Sequence, residues 1–355
     1  MSPLRPLREL TSTELAAWLE AHRQPAFRAK QIRQWLFANL ALDAAEMSNL
    51  PAALRKALAA DFAVCSVALL EAQEDGEGTT KWLLGLGDGE TIEAVLIRAP
   101  ERLTVCISTQ VGCPVRCGFC ASGRHGLTRD LSAGEIIDQV VFANRAAGER
   151  VDNIVVMGMG EPLLNLDALL QALDTICAPE TGLGIGGRHI TVSTSGIVPG
   201  IRRLAAAGRQ WNLALSLHGV TDQARARLIP PAFRYPLAEI LQACREYRET
   251  AGRMVTLEYA LIAGENDSAT DGRHLARIAL DLHAKVNLIP CNATGAAHRA
   301  SAAEQVRVFH EQLVADGVQA TVRRRKGSDI RAACGQLRAR RAPHDGQTDS
   351  QETDG

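Results

Sequence analysis

Apolar and polar positions change their rhythm twice along the chain. Over residues 1–62 the apolar residues recur at helical spacing. Leu10-Thr11-Ser12-Thr13-Glu14-Leu15 reads as a helix start, with Thr11 as the cap and Glu14 three residues on. A second amphipathic stretch runs from Phe27 to Leu40 and sets Ile32, Trp35 and Leu36 against Arg28, Lys30 and Arg33. A third runs from Leu50 to Phe62, with Arg55 and Lys56. From 63 to 98 the rhythm shortens to alternation. Lys81–Leu86 and Thr91–Ile97 flank Gly87-Asp88-Gly89, which predicts a β-hairpin. Glu93 falls among Ile92, Ala94, Val95, Leu96 and Ile97, and alternation alone puts it on the solvent face.

From residue 103 short apolar runs alternate with helical ones. The predicted strands are Leu103–Ser108, Asn153–Met157, His189–Thr194, Asn212–Leu217, Met254–Leu261 and Lys285–Ile289. The helices between and after them are Ala133–Ala147, Leu166–Cys177, Pro199–Ala207, Leu237–Thr250, Ser268–His283 and Ala302–Asp316. Six strand–helix units predict an α/β fold with a parallel sheet, as an open doubly wound sheet or as a partial (β/α)6 barrel. Either way, chemistry gathers where strands end. The expected organisation is a helical unit at 1–62, a β-extension at 63–102, the strand–helix unit at 103–338 and a tail at 339–355. Pro343–Gly355 is polar and is expected to be disordered.

Composition narrows the function classes. The 355 residues are 46% hydrophobic and 22% charged, the balance of an ordinary globular protein with a large core. No apolar run approaches the roughly 18 residues of a membrane span. Met1–Leu10 has arginines without an apolar core, so no export signal is expected. A net charge of −1 restricts any nucleic-acid contact to a local basic patch, such as the cations of the N-terminal helices. Nine cysteines in a chain without an export signal point to reduced thiols, metal and catalysis.

Three of those cysteines, Cys113, Cys117 and Cys120, form a C-x3-C-x2-C run in the loop after the first strand of the series. Thiolates suit iron–sulfur clusters and zinc. Three ligands leave one iron of a four-iron cubane open to a substrate. A zinc site would need a fourth ligand, for which His125 is the candidate. The second strand runs into Gly158-Met159-Gly160-Glu161-Pro162, whose glycines allow a ligand close to the backbone. Ser193, then Ser216, Leu217 and His218, then Asn292 bring polar groups to later strand ends. Together they suggest one ligand mouth. Cys65, Cys177, Cys244 and Cys291 read as small core residues. Cys334, followed by Gly-Gln, reads as a reactive thiol in a loop.

The C-x3-C-x2-C spacing resembles the radical S-adenosylmethionine (SAM) superfamily. That resemblance implies a [4Fe–4S] cluster on Cys113, Cys117 and Cys120, with SAM chelating the fourth iron, and it favours the partial barrel. Gly160 and Glu161 then match the superfamily's motif for the amino group of SAM. Ser193, Ser216, Leu217, His218 and Asn292 are the expected partners of its ribose and carboxylate. A closer resemblance covers residues of about 8 to about 338. Phe27-Arg28-Ala29-Lys30-Gln31-Ile32, Ser108–Cys113, Gly158–Leu163, Arg188–Thr194, Ser216-Leu217-His218 and Ala333-Cys334-Gly335-Gln336-Leu337 are similar to the radical SAM adenine C-2 methyltransferases of bacterial RNA.

This second resemblance implies a role for each remaining group. One SAM methylates Cys334, and a second yields a deoxyadenosyl radical that takes hydrogen from that methyl group. The carbon radical adds to the adenine ring. Glu93 is the expected acceptor of the ring proton. Cys106 then forms a transient disulfide with Cys334 and frees the methylated base. Re-reduction of that disulfide implies a reducing cytoplasm. The implied substrate is 23S ribosomal RNA, with tRNA as a further one, and the implied electron donor is of the flavodoxin type. A monomer without a membrane partner is expected. Arg323–Lys326 would serve as a phosphate contact beside the Cys334 loop. The chain departs from the family pattern at Ala121–Gly126 and at Cys291-Asn292-Ala293, on the substrate side. Three alternatives stand beside this reading: methylation at adenine C-8, a non-catalytic iron–sulfur RNA-binding protein, and a radical SAM enzyme acting on a peptide or small molecule.

Overall fold

The computed structural model describes residues 3–230, 235–292, 298–323, 327, 330–333 and 335–337. The chain opens with a two-residue strand β1 (Arg5–Pro6) and helix α1 (Ser12–Ala21). The expected capping box is present: the Thr11 hydroxyl accepts from Glu14 N, and the Glu14 carboxylate accepts from Thr11 N at 2.8 Å. Helix α2 (Arg28–Arg33) widens into a π-turn at Gln34–Ala38. Helix α3 (Ala52–Asp61) leads to β2 (Phe62–Ala63), which pairs in parallel with β1. The helices bury Leu15, Leu19, Ile32, Leu36, Leu54 and Leu58 in the same core that runs through the rest of the protein.

Strands β3 (Val67–Glu74), β4 (Thr79–Leu86) and β5 (Thr91–Ala99) form an antiparallel extension. Its last strand pairs with β6 (Arg102–Cys106), the first strand of the parallel series. A small hairpin, β7 (Gln110–Gly112) and β8 (Leu127–Asp130), brackets the three-cysteine loop. The chain continues through α4 (Ala133–Ala147), β9 (Asn153–Val156), α5 (Leu166–Cys177), β10 (Ile190–Thr194) and α6 (Val198–Ala206). Next come β11 (Asn212–Ser216), α7 (Asp222–Leu228), α8 (Leu237–Ala251), β12 (Thr256–Leu261) and α9 (Ala269–Leu282). It closes with β13 (Lys285–Pro290), α10 (Ala303–Ala315) and β14 (Ala320–Val322).

The ten-stranded sheet has the order β14-β13-β12-β11-β10-β9-β6-β5-β4-β3, and every pairing from β6 to β14 is parallel. The six expected strand–helix units are all present. A seventh parallel strand, β14, was not anticipated, because three residues with a half-exposed pattern give no apolar run. β14 and β3 are the two ends of the strand order. The barrel is therefore partial.

Strand alternation separates two faces. Leu257, Tyr259 and Leu261 of β12 face the helices, with Tyr259 stacked on Phe309 of α10 at 5.8 Å. Thr256, Glu258 and Ala260 take the opposite parity and face the barrel interior. By register, Cys106 of β6, Val155 of β9, and Thr191 and Ser193 of β10 lie on that inner face. So do Ser216, Glu258 and Asn287. Buried polar contacts join the N-terminal unit to the barrel. The Arg8–Asp138 ion pair, 2.7 Å long, has both side chains at 0% exposure, and Gly134 N donates to Glu9 at 3.3 Å.

Candidate active site

The cysteine loop is shaped by close backbone approaches. Gly112 has φ +79°, and a Cβ there would lie 2.0 Å from the Gly126 carbonyl oxygen, so only glycine lets the two hairpin arms meet. Cys113 N donates to that same carbonyl at 2.9 Å, and Cys120 N donates to Cys117 O at 3.1 Å. Gly118 N donates to Leu228 O at 3.1 Å, which fastens the loop to the end of α7. Cys113, Cys117 and Phe119 pack on an apolar patch of Val115, Leu228, Ile229, Ile262 and Cys291.

Burial, first, and then the neighbouring thiols push the ionisation of Cys117 well up; burial pushes Cys113 up to about 12. Thiols that resist ionisation this strongly need the positive charge of bound iron to become thiolates together. Among the described residues, no three His, Cys, Asp or Glu groups converge on a single point for one metal ion. A cubane asks for something else, since each thiolate binds a different iron and the sulfurs stand apart. The three cysteines, the glycine-permitted approach and the apolar bed fit such a cluster.

The turn after β9 lies against the cysteine loop's approach. A Cβ on Gly158 would be 2.6 Å from Ile107 O, and one on Gly160, at φ +109°, 2.8 Å from Gln110 Cβ and Thr109 Oγ1. Glu161 is buried, and burial raises its carboxyl above the ordinary range. One of its oxygens accepts from Ser195 N at 2.7 Å and the other from Leu163 N at 3.2 Å. The carboxylate thus ties the ends of β9 and β10 together, and each oxygen keeps a further lone pair for a ligand amine.

Ser193 and Ser216 face each other with hydroxyls 3.4 Å apart. Leu217 is fully buried, and its N donates to Glu258 O at 3.0 Å. His218 has φ +52°, and its Nδ1 accepts from Ala260 N at 3.0 Å. That places the ring proton on Nε2. Burial, with a smaller push from Arg225, drives the imidazole's pKa down to about 3, so it stays neutral. The ring packs edge-on against Phe119 at 4.9 Å, which joins the end of β11 to the cysteine loop. Asn292 lies just past β13 and is 9% exposed.

Arg225 escaped the sequence reading. It is fully buried in α7 and donates to the carbonyls of Ser195, Ser216 and Leu217. In Ala224-Arg225-Ala226-Arg227-Leu228 it looks no different from its exposed neighbour Arg227.

Cys106 and Glu93 share the inner face at the open side of this mouth. Cys106 is opposite Val95 in register, so Glu93, two residues along on the antiparallel β5, lies one step nearer the strand end on the same face. The Ser108 hydroxyl, beyond Cys106, donates to Glu93 O at 2.7 Å. Glu93 is 4% exposed and pairs with Lys81 at 3.2 Å, so the solvent-facing position expected from alternation is corrected. β5 is covered on both faces, and a period-two pattern cannot distinguish a wet face from a lined cavity.

Cys334 lies outside the described residues, as do Arg324–Lys326 and the tail. Residues around Cys334 are anchored. Gly327 N donates to Asp75 at 2.9 Å, Ala121 N to Gly335 O at 2.7 Å, and the Ser122 hydroxyl to Leu337 O at 2.7 Å. A separate cavity of about 610 Å³, lined by Arg188, Arg209 and Trp211, lies at the opposite, N-terminal ends of β10 and β11 and includes none of these groups.

Residues 107–272 match the Radical SAM superfamily, and residues 6–64 match the ribosomal RNA large subunit methyltransferase N-terminal domain. A probable dual-specificity RNA methyltransferase RlmN of Symbiobacterium thermophilum is 48% identical over 341 residues, 95% of this chain and 92% of its own. The chain belongs to the RlmN family. The corresponding RlmN of Geobacillus kaustophilus is 45% identical over 95% of this chain and 93% of its own. A crystal structure of a radical SAM methyltransferase from Sphaerobacter thermophilus superposes with a TM-score of 0.91 at 45% identity, covering 95% of this chain and 100% of that one. As an RlmN-type protein the chain is a radical SAM RNA methyltransferase that uses a [4Fe–4S] cluster and SAM. Among the described residues, no helix is long and apolar enough to cross a membrane.

Proposed function

We propose that the protein methylates C-2 of an adenine in 23S rRNA and in tRNA by carrying the methyl group on its own sulfur. Cys113, Cys117 and Cys120 hold the cluster. Gly160, Glu161, Ser193, Ser216, Leu217, His218 and Asn292 hold SAM. Bound together, cluster and SAM supply one-electron chemistry at the mouth. Cys334 carries the methyl carbon to the ring. Glu93 accepts the ring proton, and Lys81 at 3.2 Å stabilises its carboxylate form until then. Cys106 attacks the sulfur of Cys334 and releases the base, leaving a disulfide that a reducing cytoplasm reopens.

One observation carries the reading. Register sets Cys106 and Glu93 on one inner face at the mouth, and the segment following Cys334 is bonded to Ala121 and Ser122, directly after Cys120. The division at 62/63, 102/103 and 338/339, a monomeric state and a flavodoxin-type donor belong to the same proposal. Anaerobic reconstitution followed by mass-spectrometric mapping of methyl groups on rRNA and tRNA tests it. 2-Methyladenosine is expected; 8-methyladenosine would move the reaction to the other ring carbon. Cys106→Ala is expected to accumulate a covalent protein–RNA adduct, and normal turnover by that variant would remove the resolving role.

A further inference from the structure

The proposed mechanism leaves one buried acid unused. Glu258 lies on the inner face of β12 and is 5% exposed. It is level with Ser216 on one side and Asn287 on the other. Asn287 Nδ2 donates to its Oε2 at 2.8 Å, and Asn287 Oδ1 in turn accepts from the Thr321 hydroxyl at 3.2 Å. Among the described residues, its second oxygen, Oε1, has no hydrogen bond. The inner wall is therefore polar at one level across β11 to β14, through Ser216, Glu258, Asn287 and Thr321, with Ser193 of β10 one step back beside Ser216.

Burial raises the carboxyl of Glu258 above its ordinary range, while Arg323, Asn287 and Lys285 pull it back. The neutral acid is the form that burial favours. In the protonated form, with Oε2 accepting from Asn287 as the carbonyl oxygen, Oε1 carries the proton. A donor and an acceptor side by side, in one plane, match a ring nitrogen next to an exocyclic amine, and the purine that a SAM-dependent adenine methyltransferase brings to its barrel offers that pair at N1 and the N6 amine.

We propose that Glu258, oriented by Asn287, reads the N1/N6 edge of an adenine inside the barrel, with Oε1–H donating to N1 and Oε2 accepting from the amine. Two adenines reach this lumen, that of SAM and the target base in RNA, and the same edge serves for either. The proposal rests on the proposed function only in supposing that an adenine enters the barrel. If the target base is the one read, donation at N1 also draws electron density from the neighbouring C-2, the carbon to be attacked.

Binding measurements on the reconstituted protein test this without turnover. Short RNAs carrying adenosine, purine riboside (no amine) or 1-deazaadenosine (no N1) at the target are compared, and so are SAM and its 1-deaza analogue. With the wild type, removing either group is expected to weaken binding about tenfold, the effect of leaving a buried partner unmatched. In Glu258→Leu that penalty should vanish for the ligand that is read and persist for the other, which identifies the source. Glu258→Gln, an isostere of the neutral acid, should keep the penalty. It should also lose the wild type's weakening of affinity at rising pH. Equal penalties in wild type and Glu258→Leu for both ligands would overturn the proposal. If the leucine variant fails to fold, a pH-dependent affinity in Glu258→Gln matching the wild type's would do so. RNA methylated normally while both couplings are absent would sink this inference alone; absence of any methyladenosine would sink the proposed function alone.

Discussion

Replacing Asp138 with asparagine should loosen the N-terminal helices from the barrel without touching the cysteine loop. Arg8 and Asp138 are both fully buried, and the pair joins three segments. The Arg8 guanidinium also donates to the carbonyls of Leu36, Ala41 and Val64, and the second Asp138 oxygen accepts from Ser66 N and the Ser66 hydroxyl at 2.7 and 2.6 Å. Asparagine keeps the shape but offers one acceptor where three donors now find two. Its amide nitrogen would face either Arg8 or Ser66 N–H, donor against donor. Leaving a buried ion without its partner costs about 3–5 kcal/mol. The three carbonyls that still solvate Arg8 hold the value near the lower end, about 3 kcal/mol. For a chain of 355 residues that is a fall of roughly 4 °C in melting temperature. Urea denaturation should show a lower midpoint with an unchanged slope, and limited proteolysis should cut first near residues 63–66. The double variant Arg8→Met with Asp138→Leu should recover most of the loss, because it removes both charges and fills the space. A single Asp138→Asn variant within about 0.5 kcal/mol of the wild type would refute the argument, since that is the range of an unimportant surface change.

Gly160→Ala should abolish SAM binding, measured by equilibrium dialysis, while iron content stays unchanged, because its Cβ would lie 2.8 Å from Thr109 Oγ1 and Gln110 Cβ at φ +109°. Serine at Cys113, Cys117 or Cys120 should lower reconstituted iron and sulfide several-fold in each case, because a hydroxyl is a poor ligand for iron; full iron in any one of them would remove that cysteine from the ligand set. Glu258 gives a pH prediction. Its pKa is raised in the folded state, so the folded protein holds a proton that the unfolded chain has lost once pH passes the ordinary carboxylate range. Stability therefore declines as pH rises from the ordinary carboxylate range through the raised folded-state pKa, and Glu258→Gln should gain stability relative to the wild type over that rise in urea titrations. A stability difference that does not change with pH would show that Glu258 titrates as an ordinary surface acid.

Much of this protein was written locally. The capping box at Thr11 and Glu14 involves four consecutive residues, and the bounds of α4 and α5 matched the apolar periodicity to the residue, because a helix makes its hydrogen bonds within itself. The six strand–helix units were legible for a similar reason, since each strand of a buried parallel sheet carries a nearly continuous apolar run. The cysteine spacing was equally plain. What stayed hidden depended on partners distant in the chain. Glu93 was expected to face solvent until the pairing of β5 with β6, and Lys81 beside it, made it a lining residue. Arg225 could not be told from Arg227 until three carbonyls from two strand ends converged on it. Arg8 and Asp138 are 130 positions apart and appear unrelated on paper. Glu258 is one acid within the strand expected at Met254–Leu261, and only the register against Ser216 and Asn287 places it in a polar belt. Periodicity determines which residues are buried, because it is a property of one element at a time. What a buried polar group faces is decided by register and packing between elements, and those exist only once the chain has folded.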